Sequence, residues 1–261
     1  MTDREERRER GRALEARLFR SGEGLPGDFL DDVVPGFSTL SEELVFGGIW
    51  SRAGLGERDR MICTLSALGA IERLPQLRRC ISPALDVGLS PRSIGEILLQ
   101  SGLYGGFPLT ENTAAVAREV FAERGLRVED DQDPAATSDE LRRRGQEMLR
   151  RLHGTRGQEG YAAPENPVTG ALYTLAIEYG YGVLWYRPGL ETRERALVAV
   201  AAFTALRLVD QVRKFGESAL NVGLSRLEVR EAVIQTAPYS GFPPALNALA
   251  ALSPVLAEDA P

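Results

Sequence analysis

Glu96, Gln100 and Tyr104 follow one another at steps of four, and Glu231, Gln235 and Tyr239 repeat the same three side chains at the same spacing. Steps of four place all three on one face of a helix. A carboxylate, an amide and a phenol converging on a pocket can bind or protonate an enolate-like intermediate. The tyrosines have a plainer use as well, packed against Trp50 or Trp185 with the hydroxyl satisfied. Arg60 and Arg195 each open a long apolar run. A guanidinium there needs a carboxylate partner or an anionic ligand, because an unpaired buried charge is expensive. It either clamps a substrate carboxylate or forms a structural ion pair with Glu96 or Glu231. Trp50, Arg52, Gln100, Trp185, Arg187, Phe215 and Gln235 are the candidate substrate-binding positions around these groups.

Cys80 has Arg78 and Arg79 as neighbours. Nearby arginines lower a thiol pKa and favour the nucleophilic thiolate, although free cysteine more often only fills space. Cys63 lies within an apolar run and reads as packing. Phe215 takes no part in proton transfer and makes its pocket more apolar or fills it. His153 is the single histidine and stands just before Gly154. There it is expected to stabilise a helix C-terminus or bond its last carbonyls, with a pocket role as the other reading. Phe46 with Trp50, and Tyr181, Trp185 and Tyr186, fall near helical spacing and read as core or pocket wall.

The chain that positions these groups repeats itself. Residues 44–112 lie on residues 179–247 without a gap at an offset of 135, with 24 identities in 69 columns. Trp50, Arg52, Arg58 and Arg60 fall on Trp185, Arg187, Arg193 and Arg195. The period is far longer than that of a solenoid, so the reading is two copies of one domain, a homodimer fused into one chain. The boundaries expected are 9–125 for the first domain, 126–141 for an acidic linker and 142–258 for the second. Residues 9–20 read as an amphipathic first helix and 142–152 as its counterpart at an offset of 134, which implies a one-residue indel. Residues 58–71 are too long an apolar run for a buried strand and predict a central helix. A helix over 75–87 ends at Gly88, and Ser90-Pro91 offers a serine cap with proline at the first helical position. Ser225 with Glu228 makes a capping box on the equivalent helix of the second copy. Gly-Phe-Pro then breaks the chain before a last helix over 109–124. No alternating strand pattern is present, so the fold class is all-α.

The 261 residues carry a net charge of −6, which argues against a nucleic-acid partner. No apolar run reaches the roughly 18 residues of a membrane span, and the N-terminus lacks the apolar core of a secretory signal. Two cysteines do not make a disulfide framework. A cytoplasmic protein is expected. The usual metal and nucleotide motifs are absent from the sequence, so no cofactor is expected.

The strings W-x-R-x-G-L-x-x-R-x-R, A-L-x-x-G-L-S and E-x-x-x-Q-x-x-x-Y-x-G-F-P, present twice, resemble the carboxymuconolactone decarboxylase family. That resemblance implies the all-helical alkylhydroperoxidase D-like fold in each copy, related by a pseudo-twofold. It implies cofactor-free loss of CO₂ from a small carboxylated lactone, with protons moved by side chains. It also implies a ring assembly, commonly a hexamer, so that three fused chains would complete it. The family motif carries a histidine in the column twenty residues after Arg60 and Arg195; Cys80 and Phe215 stand there. A substrate other than the family's own is therefore expected. The peroxidase branch of the superfamily needs a CxxC just before that column, and the chain has Gln76-Leu77-Arg78-Arg79 and Gln211-Val212-Arg213-Lys214. Thiol peroxidase chemistry is disfavoured.

Two functions follow. One is a decarboxylase-like enzyme, or a related isomerase or cyclase, on a small anionic molecule, with Arg60, Cys80, Glu96, Tyr104, Arg195, Glu231 and Tyr239 as its candidate catalytic groups. The other is a non-catalytic binder or assembly protein that kept the scaffold.

Overall fold

A computed structural model describes residues 2–19, 27–128, 137–154 and 165–257. The first copy runs α1 (Asp3–Leu18), α2 (Gly27–Val33), α3 (Phe37–Leu40), a π-helical segment (Ser41–Trp50), α4 (Glu57–Ala70), α5 (Leu74–Asp86), α6 (Pro91–Gly105) and α7 (Phe107–Glu123). The second runs α8 (Ser138–His153), α9 (Gly170–Leu175), a shorter π segment (Ala176–Tyr181), a 3₁₀ turn (Leu184–Tyr186), α10 (Thr192–Ala205), α11 (Val209–Asn221), α12 (Arg226–Ser240) and α13 (Phe242–Leu256). Among the described residues there is no strand. Half of the expected acidic linker, 129–136, lies outside the described residues; from Ser138 to Glu140 it forms the first turn of α8 under a Thr137 cap.

The two apolar runs form the centre. α4 packs on α10, and each also packs on α6 and α12. Met61, Ile62 and Leu65 of α4 and Leu197, Val198 and Val200 of α10 are fully buried. Each such side chain contributes about 1.5–3 kcal/mol on removal from water, which makes this pair the nucleus of a core shared by both copies. Arg58 donates to Glu194 at 2.8 Å, and its equivalent Arg193 donates to Asp59 at 2.8 Å. The exchange of equivalent contacts between copies is the signature of a pseudo-twofold axis between α4 and α10.

The caps form as the sequence requires. Ser90 accepts from the Ser93 amide, and Ser225 and Glu228 close a reciprocal box. Gly106 and Gly241 take φ of 112° and 101°, which lets α6 turn directly into α7 and α12 into α13. The chain reversal is tighter than expected, because the Phe-Pro that follows already belongs to the next helix.

The π segments were not legible in the sequence. Each ends on an i→i+5 hydrogen bond, from the Ser51 amide to the Phe46 carbonyl and from the Gly182 amide to the Ile177 carbonyl. The first helix of each copy lies against them. A Cβ on Gly11 would fall 1.9 Å from the Glu42 carbonyl oxygen, and one on Gly145 would fall 2.0 Å from that of Ile177. Only glycine permits this approach, so the equivalence of α1 and α8 at an offset of 134 is a packing requirement.

Candidate functional site

The repeated residues assemble into two equivalent centres, and each takes residues from both copies. In the first, Arg60 of α4 donates to Gln235 Oε1 at 2.9 Å and to Glu231 Oε2 at 3.2 Å on α12. Arg52 grips the same Glu231 through Nε and Nη2 at 2.8–3.1 Å. In the second, Arg195 of α10 donates to Gln100 Oε1 at 3.3 Å and to Glu96 Oε2 at 3.0 Å on α6, and Arg187 donates to Glu96 at 3.0 Å. Arg60 also donates to the Arg52 carbonyl, and Arg195 to that of Arg187, both at 2.7 Å. The central arginines therefore fix the chain after each tryptophan as well as the opposite glutamate.

Of the two carboxylates open to each arginine, the structure pairs it with that of the other copy: the arginine of one copy meets the glutamate, glutamine and tyrosine of the other. The reason is that α4 and α10 cross at the axis, so each turns its N-terminal end toward the partner copy's helix. Arg60, Glu96, Arg195 and Glu231 are at most 2% exposed, which makes a free clamp of Arg60 or Arg195 on a substrate a poor reading. Still, the Nε–H of Arg60 and that of Arg195 are buried without a hydrogen-bond partner among the described residues. Burial pushes the Glu231 carboxyl up, and the hydrogen bonds and charges of Arg52 and Arg60 outweigh it, so it stays below the usual carboxylate range.

The tyrosines close each centre, and here the halves differ. Tyr239 accepts the Trp50 indole N–H at 2.7 Å. Tyr104 accepts from Gln100 Nε2 at 3.0 Å. The cause lies on the central helices. Gln235 Nε2 is taken by Thr64 at 3.1 Å, whereas Ala199 stands at that position in the second copy and offers nothing. Burial, the largest influence on both phenols, raises them well above the ordinary tyrosine value, so each hydroxyl keeps its proton.

Beyond the tyrosines lie two aromatic compartments. Phe46 stacks on Trp50 at 6.4 Å in the first, with Phe19 edge-on at 5.8 Å. In the second, Phe215 touches Trp185, Phe203 and Tyr104 with ring centroids at 6.4, 4.9 and 6.2 Å. Phe215 thus fills space between the phenol and the outer wall. Cys80, in the equivalent place, is buried, and burial pushes its thiol up to about 12 while Arg79 opposes weakly. Arg78 is turned to Glu123 on α7 at 2.6 Å. Of the two readings of Cys80, the thiolate gives way to a protonated, buried thiol, because desolvation outweighs the neighbouring charge. Cys63 is fully buried packing. Tyr186 is neither core nor pocket wall; it is 37% exposed and lies under the Arg144 guanidinium.

His153 stands in the last turn of α8, as expected, and its side chain makes further contacts. Its ring turns inward from the end of α8, with Nδ1 at 2.8 Å from Ser218 Oγ and Nε2 at 2.9 Å from Tyr181 Oη. It meets the Phe215 ring edge-on at 5.0 Å. The available signal was the offset of 134, which puts His153 in the column of Phe19.

Of the candidate residues only Arg52 reaches the apolar surface cleft of about 540 Å³ between the first π segment, α12 and α13. Among the described residues, no group of three or more His, Cys, Asp or Glu side chains comes together to hold a metal ion, and no helix is long and apolar enough to cross a membrane.

The model of the carboxymuconolactone decarboxylase family matches residues 35–119 and again 170–254. A nitrosuccinic acid decarboxylase of Metarhizium robertsii is 30% identical over 118 residues, which is 44% of this chain and 82% of that protein. The 4-carboxymuconolactone decarboxylase of Acinetobacter baylyi is 29% identical over 97 residues, 37% of this chain and 72% of that protein. Each relative thus aligns with less than half of the chain. A solved protein from Burkholderia xenovorans, bearing the name of a gamma-carboxymuconolactone decarboxylase subunit, superimposes with a TM-score of 0.56 at 20% identity. That match covers 95% of this chain and 97% of that one, and it shows the all-helical fold.

Proposed function

The chain belongs to the carboxymuconolactone decarboxylase family as two fused copies, and from that premise we propose that it is a cofactor-independent decarboxylase acting on a small carboxylated molecule. The names of the two relatives share one chemistry. Loss of CO₂ leaves an electron pair next to an oxygen-bearing acceptor, a nitro group in one and an unsaturated lactone in the other. We infer a substrate of that class here.

The carrying observation is the protonated phenol set beside a buried arginine with an unspent donor. Tyr104 accepts from Gln100, so its hydroxyl hydrogen is left to donate, whereas the Tyr239 hydroxyl accepts from Trp50 and also bonds Thr64. A phenol kept neutral by burial is suited to an oxygen on which negative charge develops. The Arg–Glu–Gln network fixes the helix that carries it and keeps net positive charge nearby, with Arg52 and Arg187 at the rim. In this role Glu96 and Glu231 position the arginines rather than move protons.

A specific observation favours the second reading, a non-catalytic binder: Arg60 and Arg195 spend most of their donors inside the protein. CO₂ release from nitrosuccinate and from 4-carboxymuconolactone, measured with the purified chain, separates the two. Release above the uncatalysed rate, reduced by Tyr104→Phe or Tyr239→Phe, is expected. No release from either compound, with both still shifting the protein's NMR spectrum, would leave the binder. The same reading expects three chains per assembly, which light scattering tests.

A further inference from the structure

Three positions that are apolar in the first compartment are polar in the second, and the three polar groups are bonded to one another. Phe19, Phe46 and Pro83 correspond to His153, Tyr181 and Ser218. The frame is unchanged: Phe19 meets Phe46 at 5.8 Å and 78°, and His153 meets Tyr181 at 5.8 Å and 83°. A packing-only role is already met by the phenylalanines. Replacing them with a connected histidine, phenol and hydroxyl puts proton-carrying groups into one half alone.

The hydrogen bonds fix the direction of that chain. Ser218 is fully buried, and its one hydroxyl hydrogen goes to the Lys214 carbonyl at 2.9 Å. Its oxygen is then an acceptor for His153 Nδ1, which must carry hydrogen. Neutral His153 is therefore the Nδ1–H tautomer, with the Nε2 lone pair toward the Tyr181 hydroxyl. His153 and Tyr181 are both only part-buried, while Phe215 forms an apolar floor beneath the imidazole. The pair is thus partly exposed and backed by low-dielectric packing.

We propose that the second compartment is the working half and that His153 is its proton-donating residue, positioned by Ser218 and relayed through Tyr181. The proposal rests on the decarboxylase reading above. In the step it assigns, the bond to the carboxyl carbon breaks and CO₂ leaves. The electron pair enters the substrate's own nitro or carbonyl acceptor. The carbon then takes the Tyr181 hydroxyl proton as the imidazolium Nε2 proton replaces it. His153 ends as the neutral tautomer that Ser218 selects, and solvent restores its charge. No oxidant or reductant is needed.

The test compares His153→Phe and Tyr181→Phe, which install the first-compartment residues, with Phe46→Leu in the first compartment. With nitrosuccinate as the probe, both second-compartment variants are expected to lose about 100-fold or more in kcat, with KM within about threefold. Phe46→Leu is expected to stay near wild type, and imidazole added to His153→Ala to restore part of kcat. Retention of more than half of kcat in His153→Phe, or an equal loss in Phe46→Leu, overturns the proposal. If the wild-type protein turns over neither compound, the decarboxylase reading falls and this one is judged separately by ¹⁵N NMR of the single histidine. A protonated Nδ1 with an Nε2 signal that moves on adding nitrosuccinate supports the site. An Nδ1 without hydrogen, or an Nε2 that does not move, overturns it.

Discussion

Arg60 and Glu231 meet at 3.2 Å across the pseudo-twofold, 171 positions apart in the chain and with each side chain 1% exposed. One copy's central helix is thereby tied to the other copy's site helix. Removing one partner of a buried pair leaves an uncompensated charge, which costs about 3–5 kcal/mol. Glu231→Ala is therefore expected to destabilise the whole chain by about 3 kcal/mol in urea unfolding, and Glu96→Ala comparably. Arg60→Met added to Glu231→Ala should recover part of that loss, and strict additivity of the two would refute the coupling.

The same carboxylate sets an acid limb. Glu231 is held below its ordinary value in the folded chain, so its stabilisation is complete above the unfolded value of about 4.5 and is lost as pH falls through the lower folded value. Unfolding measured against pH should fall less steeply below about 4.5 in Glu231→Gln than in wild type. Parallel acid limbs would show that other carboxylates carry it.

Glu15 on α1 has the opposite sign. Burial, and then the charge of Glu42, push its carboxyl up to about 7. Folding therefore favours its protonated form, and the penalty for its charge is absent below about pH 4.5 and complete above pH 7. Glu15→Gln is expected to stabilise the chain by about 1 kcal/mol near pH 8, after allowing for solvent screening, and to do nothing near pH 4. Thermal melts at the two pH values check this, and a gain at both would reject it.

Tyr239→Phe removes the acceptor of the Trp50 N–H, whereas Tyr104→Phe releases a Gln100 amide that still reaches the Arg195 carbonyl at 2.8 Å. An orphaned buried donor costs about 1–3 kcal/mol, so Tyr239→Phe should be the more destabilising of the two. Equal denaturation midpoints would show that the tryptophan finds another partner.

The Cys80 thiol, pushed up to about 12, stays protonated at neutral pH, and Cys63 is buried in α4. Both should resist a disulfide-exchange reagent in the native chain and react once it is unfolded. Rapid labelling of Cys80 in the folded protein would restore the thiolate reading that burial argues against.

The sequence by itself determined the main helices of each copy, though not the π segments. Helical periodicity, serine caps and glycine stops are written in neighbouring residues, and the offset of 135 made the duplication visible without any structure. The shared face of Glu96, Gln100 and Tyr104 was also legible, because steps of four decide it locally, and Gln100 does reach Tyr104 at 3.0 Å. Partnership was different. The two copies offer the same arginine and the same glutamate, so spacing could not say that Arg60 closes on Glu231 rather than Glu96. That choice belongs to the crossing of α4 and α10 at the axis. Likewise, nothing adjacent to His153 marks it as inward-facing. Its direction comes from Gly145 letting α8 sink onto the second π segment, which carries the ring to Tyr181 and Ser218. Local patterns are set by a few residues of chain, whereas pairings between distant groups are set by how whole helices pack, and only the tertiary structure holds that information.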